Sequence, residues 1–345
     1  MKFIHNLFLP LLIPASWVYG IITFFRNYCF DTGLFKSQLF HKPIISIGNI
    51  TLGGTGKTPL VIYIANSLKK MGKNPGIVSR GYNRSSNGLI RVHDGNKLLV
   101  DVNIAGDEPY LIGKRLGNVP IIVSENKVHG IAELLKNNLI DIVILDDAFQ
   151  HRKIKRNIDI VMISSFEKIK YYHLLPWGKM RESLYNLKRA NYIIYSNTKE
   201  FEMPLIHNYL VKYIGNKSIN SIMNPVLMKY DGLQYKKVNS IDKKVFAFCG
   251  IGTPKSFFSS VEELNLTIIG KKVFLDHEKY NSNTLKKLLF MIKDSNCTDI
   301  VTTEKDIVKI PDNFIKEFQF YVIKIDIMFQ DERLIQNLVN EIFLN

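Results

Sequence analysis

HKPIISIGNITLGGTGKTP, residues 41–59, runs an apolar β-branched segment into a glycine-rich turn and then into a helix-forming segment. Residues 41–50 have the isoleucine-rich composition of a strand buried on both faces. Residues 59–70 repeat apolar positions at helical spacing. A strand feeding a glycine-rich turn that opens a helix is the context a phosphate-binding loop requires. Glycines let successive backbone N–H groups converge on phosphate oxygens, and the helix N-terminus adds positive partial charge. Thr51, Leu52, Gly53, Gly54, Thr55, Gly56, Lys57 and Thr58 are therefore the candidate nucleotide-binding residues. Lys57 is placed to reach the β- and γ-phosphates, and the Thr58 hydroxyl to bind Mg²⁺. The usual pattern starts with glycine six residues before the lysine; here that position is Thr51, and Gly53, Gly54 and Gly56 compensate.

Outward from this segment the chain alternates strand-like and helix-like stretches. Further strands are expected at residues 74–79, 120–124, 140–145, 158–163 and 192–195. Such alternation predicts an α/β fold, a P-loop NTPase-like parallel sheet with helices on both faces. Residues 226–230 and 234–238 alternate around Asp231-Gly232, a hairpin turn signal. A new strand–helix series begins at residues 245–249 and continues through Ile300-Val301 and residues 320–325. The expected organisation is an N-terminal membrane-associated helix (1–28), a P-loop core domain (29–224), a β-hairpin linker (225–240) and a second, smaller α/β domain (241–345).

The second chemical signal is IDIVILDDAFQHR, residues 140–152. A β-branched run ending in two carboxylates sets Asp146 and Asp147 at the carboxyl edge of the sheet, where sites open in doubly wound folds. Beside a phosphate-binding loop this is a Walker-B strand, and Thr58, Asp146 and Asp147 form the candidate metal set. Gln150 and His151, which follow directly, are candidate substrate residues.

Residues 7–25, LFLPLLIPASWVYGIITFF, carry no formal charge and match the length needed to cross a hydrocarbon core. Trp17 and Tyr19 suit a membrane interface, although Pro10 and Pro14 argue against a straight helix. This segment reads as an anchor or in-plane membrane helix; a signal peptide and a buried helix are the rivals, and the nucleotide motif counts against secretion. The formal net charge of +15 favours an anionic partner: acidic lipid, phosphorylated substrate or nucleic acid. Cys29, Cys249 and Cys297 form no metal-ligand spacing and argue against a disulfide scaffold.

Four shorter motifs, SRGY (79–82), GDEP (106–109), DHEKY (276–280) and TTEKD (302–306), are weak signals one by one. Taken in order with TLGGTGKTP, LDDAFQHR, LLPWGKMRESL (174–184) and FCGIGTPKSFF (248–258), they resemble the tetraacyldisaccharide 4′-kinase family, the lipid A 4′-kinases of Gram-negative bacteria. Ala148 stands where the family commonly has glycine, Trp177, Met180 and Ser183 depart from its LLPAGxLREP, and Glu278 departs from its DHH.

The resemblance implies transfer of the ATP γ-phosphate to the 4′-hydroxyl of a tetraacylated glucosamine disaccharide 1-phosphate. It implies ATP and Mg²⁺ as cofactors and a location at the cytoplasmic face of the bacterial inner membrane. It also implies Asp107 as acceptor of the hydroxyl proton, with His277 orienting it, and Lys57 as the third catalytic residue. Arg80 and Tyr82 are implied as contacts to acceptor or phosphates. An acylated, phosphorylated acceptor suits a basic protein with an apolar N-terminus. Two other readings are a P-loop GTPase or ATPase switch at the membrane, whose base-reading signature Asn197-Thr198-Lys199-Glu200 matches only loosely, and a nucleic-acid-binding protein. The latter has no recognised motif and is not expected.

Overall fold

The computed structural model describes residues 9–136, 139–198, 200–232, 234–238, 243–331 and 333–343. The first residues of the apolar segment, Lys199 of the loose base-reading tetrad, and part of the expected linker lie outside the described residues. One mostly parallel sheet of 13 strands runs through the molecule, in the order β11-β10-β12-β13-β8-β7-β6-β1-β5-β2-β4-β3, with β9 paired to β8.

Its P-loop half contains β1 (Ile44–Asn49), β2 (Pro75–Ser79), β3 (Ile90–His93), β4 (Ile121–Val123), β5 (Ile142–Asp146), β6 (Ile158–Ser164) and β7 (Tyr192–Ser196). Every residue of β1, β2 and β5 is buried. Such strands read as unbroken apolar runs because helices cover both faces. Helix α1 (Leu9–Asp31) precedes the sheet, α2 (Lys57–Lys70) follows β1, α3 (Asp107–Leu116) precedes β4 and α4 (Lys127–Leu134) precedes β5. Leu60, Val61, Ile64 and Leu68 of α2 pack onto Ile45, Ile47, Ile144 and Ile160.

Strand β1 pairs in parallel with β5, with Ile47 opposite Asp146, so the glycine-rich turn and the carboxylate strand end side by side. Gly48 makes that proximity possible. A Cβ there would lie 2.6 Å from Phe149 Cβ and 2.7 Å from Phe149 N. Gly48→Ala is expected to cost about 1–3 kcal/mol through overpacking, read from chemical denaturation. A stability equal to wild type would show that the Ala148-Phe149 turn yields freely.

The chain crosses to the second half through β8 (Ser218–Tyr230), which is longer than the short strand expected at 226–230. Its first three residues pair in parallel with β7, and Ser221–Tyr230 pair antiparallel with β13 (Gln319–Phe329). Strand β9 (Tyr235–Lys237) then folds back on β8. The expected hairpin is present, but β8 itself makes the two sheet halves continuous. Strands β10 (Lys243–Cys249), β11 (Leu266–Val273) and β12 (Asp299–Thr303) complete the second half, with α5 (Pro254–Glu263) and α6 (Ser282–Asp294). Strands β3 and β11 were not anticipated. Both are edge strands with an irregular register, where a partly exposed face blurs the apolar pattern.

One expectation is corrected. Among the described residues no helix is long and apolar enough to cross a membrane. Helix α1 instead commits one side to the protein. Ser16 Oγ donates to the Leu174 carbonyl at 2.9 Å, Tyr19 OH to that of Arg181 at 2.7 Å, and Asn27 Nδ2 to Glu182 Oε2 at 3.1 Å. Ser16, Thr23 and Asn27 are buried there, so composition alone overstated the apolar character of the helix.

Candidate active site

The glycine-rich turn is shaped by its glycines and held by hydrogen bonds to its backbone. Gly53 and Gly56 hold φ of +120° and +83°, and Gly56 caps α2 in the left-handed conformation. A Cβ at Gly56 would also strike the Met223 side chain. Asn49 Nδ2 donates to the Thr51 carbonyl at 2.6 Å, and Leu52 N to that of Lys179 at 2.8 Å. Lys57 and Thr58 open α2, where unpaired N–H groups and the helix dipole favour an anion.

The two aspartates at the end of β5 differ in environment. Asp146 is buried; Ser79 Oγ donates to its Oδ2 at 2.8 Å, and Lys127 Nζ donates to its backbone carbonyl. Burial, and then the nearby Glu108 carboxylate, raise the Asp146 pKa above its usual value. Its Oδ1 is buried without a hydrogen-bond partner. Asp147 has a φ of +50°, rare for a residue with a side chain. It lies 3.5 Å from Lys57 Nζ and accepts from Arg181 Nη1 at 2.9 and 3.0 Å. Burial pushes its carboxyl up, but Lys57 and Arg181 outweigh that and hold it below the usual value.

Among the described residues no group of three or more His, Cys, Asp or Glu could hold a metal by itself. A nucleotide-bound Mg²⁺ needs less, because phosphates and water supply most of its six oxygens. The Thr58 hydroxyl and the orphaned Asp146 Oδ1 fit that need; Asp147 is already satisfied by two cations.

The second half of the sheet brings its own groups to this edge. Asp107, the first residue of α3, is buried, and His277 Nδ1 lies 2.7 Å from its Oδ2. His277 has a φ of +60° and packs its ring 5.2 Å from that of Tyr82. Burial pushes Asp107 up, but the His277 hydrogen bond, Lys305 and Lys309 carry it below its ordinary value. The same hydrogen bond raises the His277 pKa against the effect of burial. Lys305 pairs with Glu108, the residue after Asp107. A Cβ added to Gly54 would lie 3.9 Å from Thr253 Oγ1, so the β10–α5 loop lies against the glycine-rich turn. Beside the start of α2 a cavity of about 150 Å³ opens, lined by Thr58, Pro59, Leu111, Ile251, Phe257 and Glu304 among others.

Gln150 and His151 sit on the other flank. Gln150 Nε2 donates to the Asn49 carbonyl at 3.0 Å and to Glu182 Oε1 at 2.9 Å. Glu182 is fully buried and also accepts from Asn27 Nδ2 and Arg189 Nη2. The His151 pKa falls to about 4, first through burial and then through Lys127, Arg156, Lys153 and Arg80. His151 is therefore neutral near pH 7 within a ring of cations. Arg80 and Tyr82 are exposed on the loop after β2.

A sequence profile of "LpxK: Tetraacyldisaccharide-1-P 4'-kinase" matches residues 8–343. The chain belongs to this family. The kinase, a lipid A biosynthesis enzyme, is 34% identical over 312 residues to the tetraacyldisaccharide 4′-kinase of Desulfotalea psychrophila, covering 89% of each chain. It is 37% identical over 309 residues to that of Chlorobaculum parvum, covering 88% of this chain and 84% of the relative. The crystal structure of "apo" form LpxK from Aquifex aeolicus in complex with ATP is similar at a TM-score of 0.77 and 27% identity, covering 99% of this chain and 100% of that one.

Sequence reading missed several charged residues of the kinase. Arg181 and Glu182 lie inside the quoted LLPWGKMRESL, and Glu108 and Lys305 inside GDEP and TTEKD, so their motifs were visible while their partners were not. Arg189 and Asn27 carried no signal. The regulatory-switch reading fails on family membership, and Thr198 of its loose signature is occupied structurally by the Ser221 carbonyl.

Proposed function

We propose that the kinase moves the γ-phosphoryl group of ATP to the 4′-hydroxyl of a tetraacylated glucosamine disaccharide 1-phosphate at a membrane surface. The observation that carries this reading is one sheet edge bearing both Lys57 of the glycine-rich turn beside paired aspartates and the hydrogen-bonded Asp107–His277 pair. Phosphoryl transfer asks mainly for positioning and charge neutralisation. Lys57 balances charge on the transferring group while the N-terminus of α2 holds the phosphates. Asp107 accepts the hydroxyl proton, and His277, fixed at 2.7 Å, keeps the carboxylate oriented. Thr58 and Asp146 would hold Mg²⁺, which would supply further charge neutralisation. Arg80, Tyr82, Gln150 and His151 serve the acceptor side. Because Asp107 and His277 come from opposite halves of the sheet, we assign residues 29–224 and 241–345 to two domains whose approach completes the site.

Asp146→Asn and Asp147→Asn are expected to shift the Mg²⁺ titration of activity to higher concentration. Asp146→Asn is the more severe, since its free Oδ1 is the open ligand position. Unaltered titration curves for both variants would take the pair out of the metal site.

Apposition to the membrane is supported by α1. Its protein side is polar, whereas Trp17, Ile21, Ile22, Phe24 and Phe25 are exposed on the other side, with Phe24 at 65%. That is the reverse of a helix covering a soluble core and the pattern of one lying in an interface. Ile21→Ser with Phe25→Ser should lower co-sedimentation with anionic vesicles at least tenfold, given about 1.5–3 kcal/mol for each apolar side chain buried. The KM for lipid acceptor should rise more than that for ATP. Equal co-sedimentation of variant and wild type would exclude this face as the contact.

A further inference from the structure

TTEKD and the residues after it hold an ion pair that the mechanism above leaves unused. Asp306 is fully buried and accepts three hydrogen bonds: from Gly250 N at 3.0 Å, Tyr280 OH at 2.9 Å and Thr303 Oγ1 at 2.7 Å. These donors belong to the three segments by which the second half reaches the site. Gly250 begins the loop whose Thr253 lies against the phosphate-binding turn, Tyr280 ends the segment carrying His277, and Thr303 ends β12 before Lys305. One carboxylate thus ties together the three segments that face the P-loop half.

Lys309 is the outlying member of this cluster. Its Nζ lies 3.3 Å from Asp306 Oδ1 and 4.0 Å from Asp107 Oδ2, an aspartate from each half of the molecule. The side chain is 10% exposed, and the ammonium is buried without an aligned hydrogen bond. A buried cation is costly unless carboxylates compensate it, so its place between these two is not incidental. Its ammonium is closed off from solvent.

Resting on the reading of Asp107 as the proton acceptor, we infer that Lys309, held by Asp306, is a positioning residue that keeps the Asp107 carboxylate charged and in place once the two halves meet. It acts through Asp107 and touches neither nucleotide nor acceptor. The charged and titratable groups facing Asp107 are His277 at 2.7 Å, Lys305, Lys309 and the adjacent Glu108. Those facing Lys309 are Asp306, Asp107 and Tyr280, whose ring centroid is 5.4 Å from Nζ. Of the cations around Asp107, Lys305 has Glu108 as its own hydrogen-bonded partner, whereas Lys309 lies between Asp306 and Asp107 with no aligned hydrogen bond to either.

The test is the pH profile of kcat for Lys309→Met in the full-length kinase with saturating ATP and lipid acceptor. Removing an opposite charge about 4 Å away raises a carboxyl pKa by about one unit or more. The acid limb should therefore move up by about one pH unit, with the KM for ATP and for acceptor within about twofold of wild type. Lys309→Arg, which keeps the charge, should leave the acid limb at its wild-type position. If Lys309→Met does not fold, Lys309→Gln carries the test and must show the same displacement. An acid limb unmoved in the neutral variant, or moved equally in Lys309→Arg, overturns the inference. Asp107→Asn in the same assay separates the two readings. If it costs 10²-fold or more while the neutral Lys309 variant keeps the wild-type limb, the inference alone falls. If Asp107→Asn keeps kcat within tenfold, both fall.

Discussion

Lys57→Ala should lower kcat by at least about 10²–10³-fold while leaving the fold intact. The side chain is only 13% exposed, and its ion-pair partner is Asp147 at 3.5 Å. Asp147 keeps Arg181 when Lys57 is removed, so no uncompensated charge is left buried. What disappears is the cation beside the transferring phosphoryl group, and Arg181, already engaged by Asp147 and Gln150, is not free to replace it. Circular dichroism and the denaturation midpoint should match wild type. A variant retaining more than about a tenth of kcat, under 1.4 kcal/mol of barrier, would mean that Lys57 is not the phosphate lysine.

The second large effect concerns Asp107 and His277. Asp107→Asn keeps the size of the side chain and removes the base, so kcat should fall about 10²–10⁴-fold with ATP binding nearly unchanged. His277→Ala should act on the same step by releasing the carboxylate. The double variant should then be little worse than Asp107→Asn alone, because groups that act as a unit are not additive. Fully additive losses would place His277 in a separate task, and a large rise in ATP Kd for Asp107→Asn would move Asp107 to the metal.

The pair also carries a pH signature in stability. The His277 pKa is raised from 6.5, so its contribution is complete below 6.5 and is lost as pH rises through the raised value. The Asp107 pKa is lowered from 3.8, so its contribution is complete above 3.8 and is lost as pH falls through the lowered value. The stability gap between wild type and His277→Ala should be widest between these limits, roughly pH 4 to 6.5.

Some of this was determined by the sequence alone. Strand β1, its glycine turn and α2 occupy consecutive residues, so the spacing of apolar positions and glycines specifies them without reference to the rest of the chain. The carboxylates at the end of β5 were equally visible, because a buried parallel strand must end in the edge where its polar residues appear. Length and charge in residues 7–25 were legible too, but not their use. Whether Ser16, Tyr19 and Asn27 face lipid or protein depends on Leu174, Arg181 and Glu182, all more than 150 positions away.

The same distance hid the charge network. Asp107 and His277 are 170 positions apart, and Glu108 and Lys305 197 apart. An aspartate in a loop motif has the same local pattern whether water or a buried lysine neutralises it. Among the described residues it is β8, paired with β7 at one end and β13 at the other, that joins the two halves of the sheet and lets those charges meet where burial weakens screening by water.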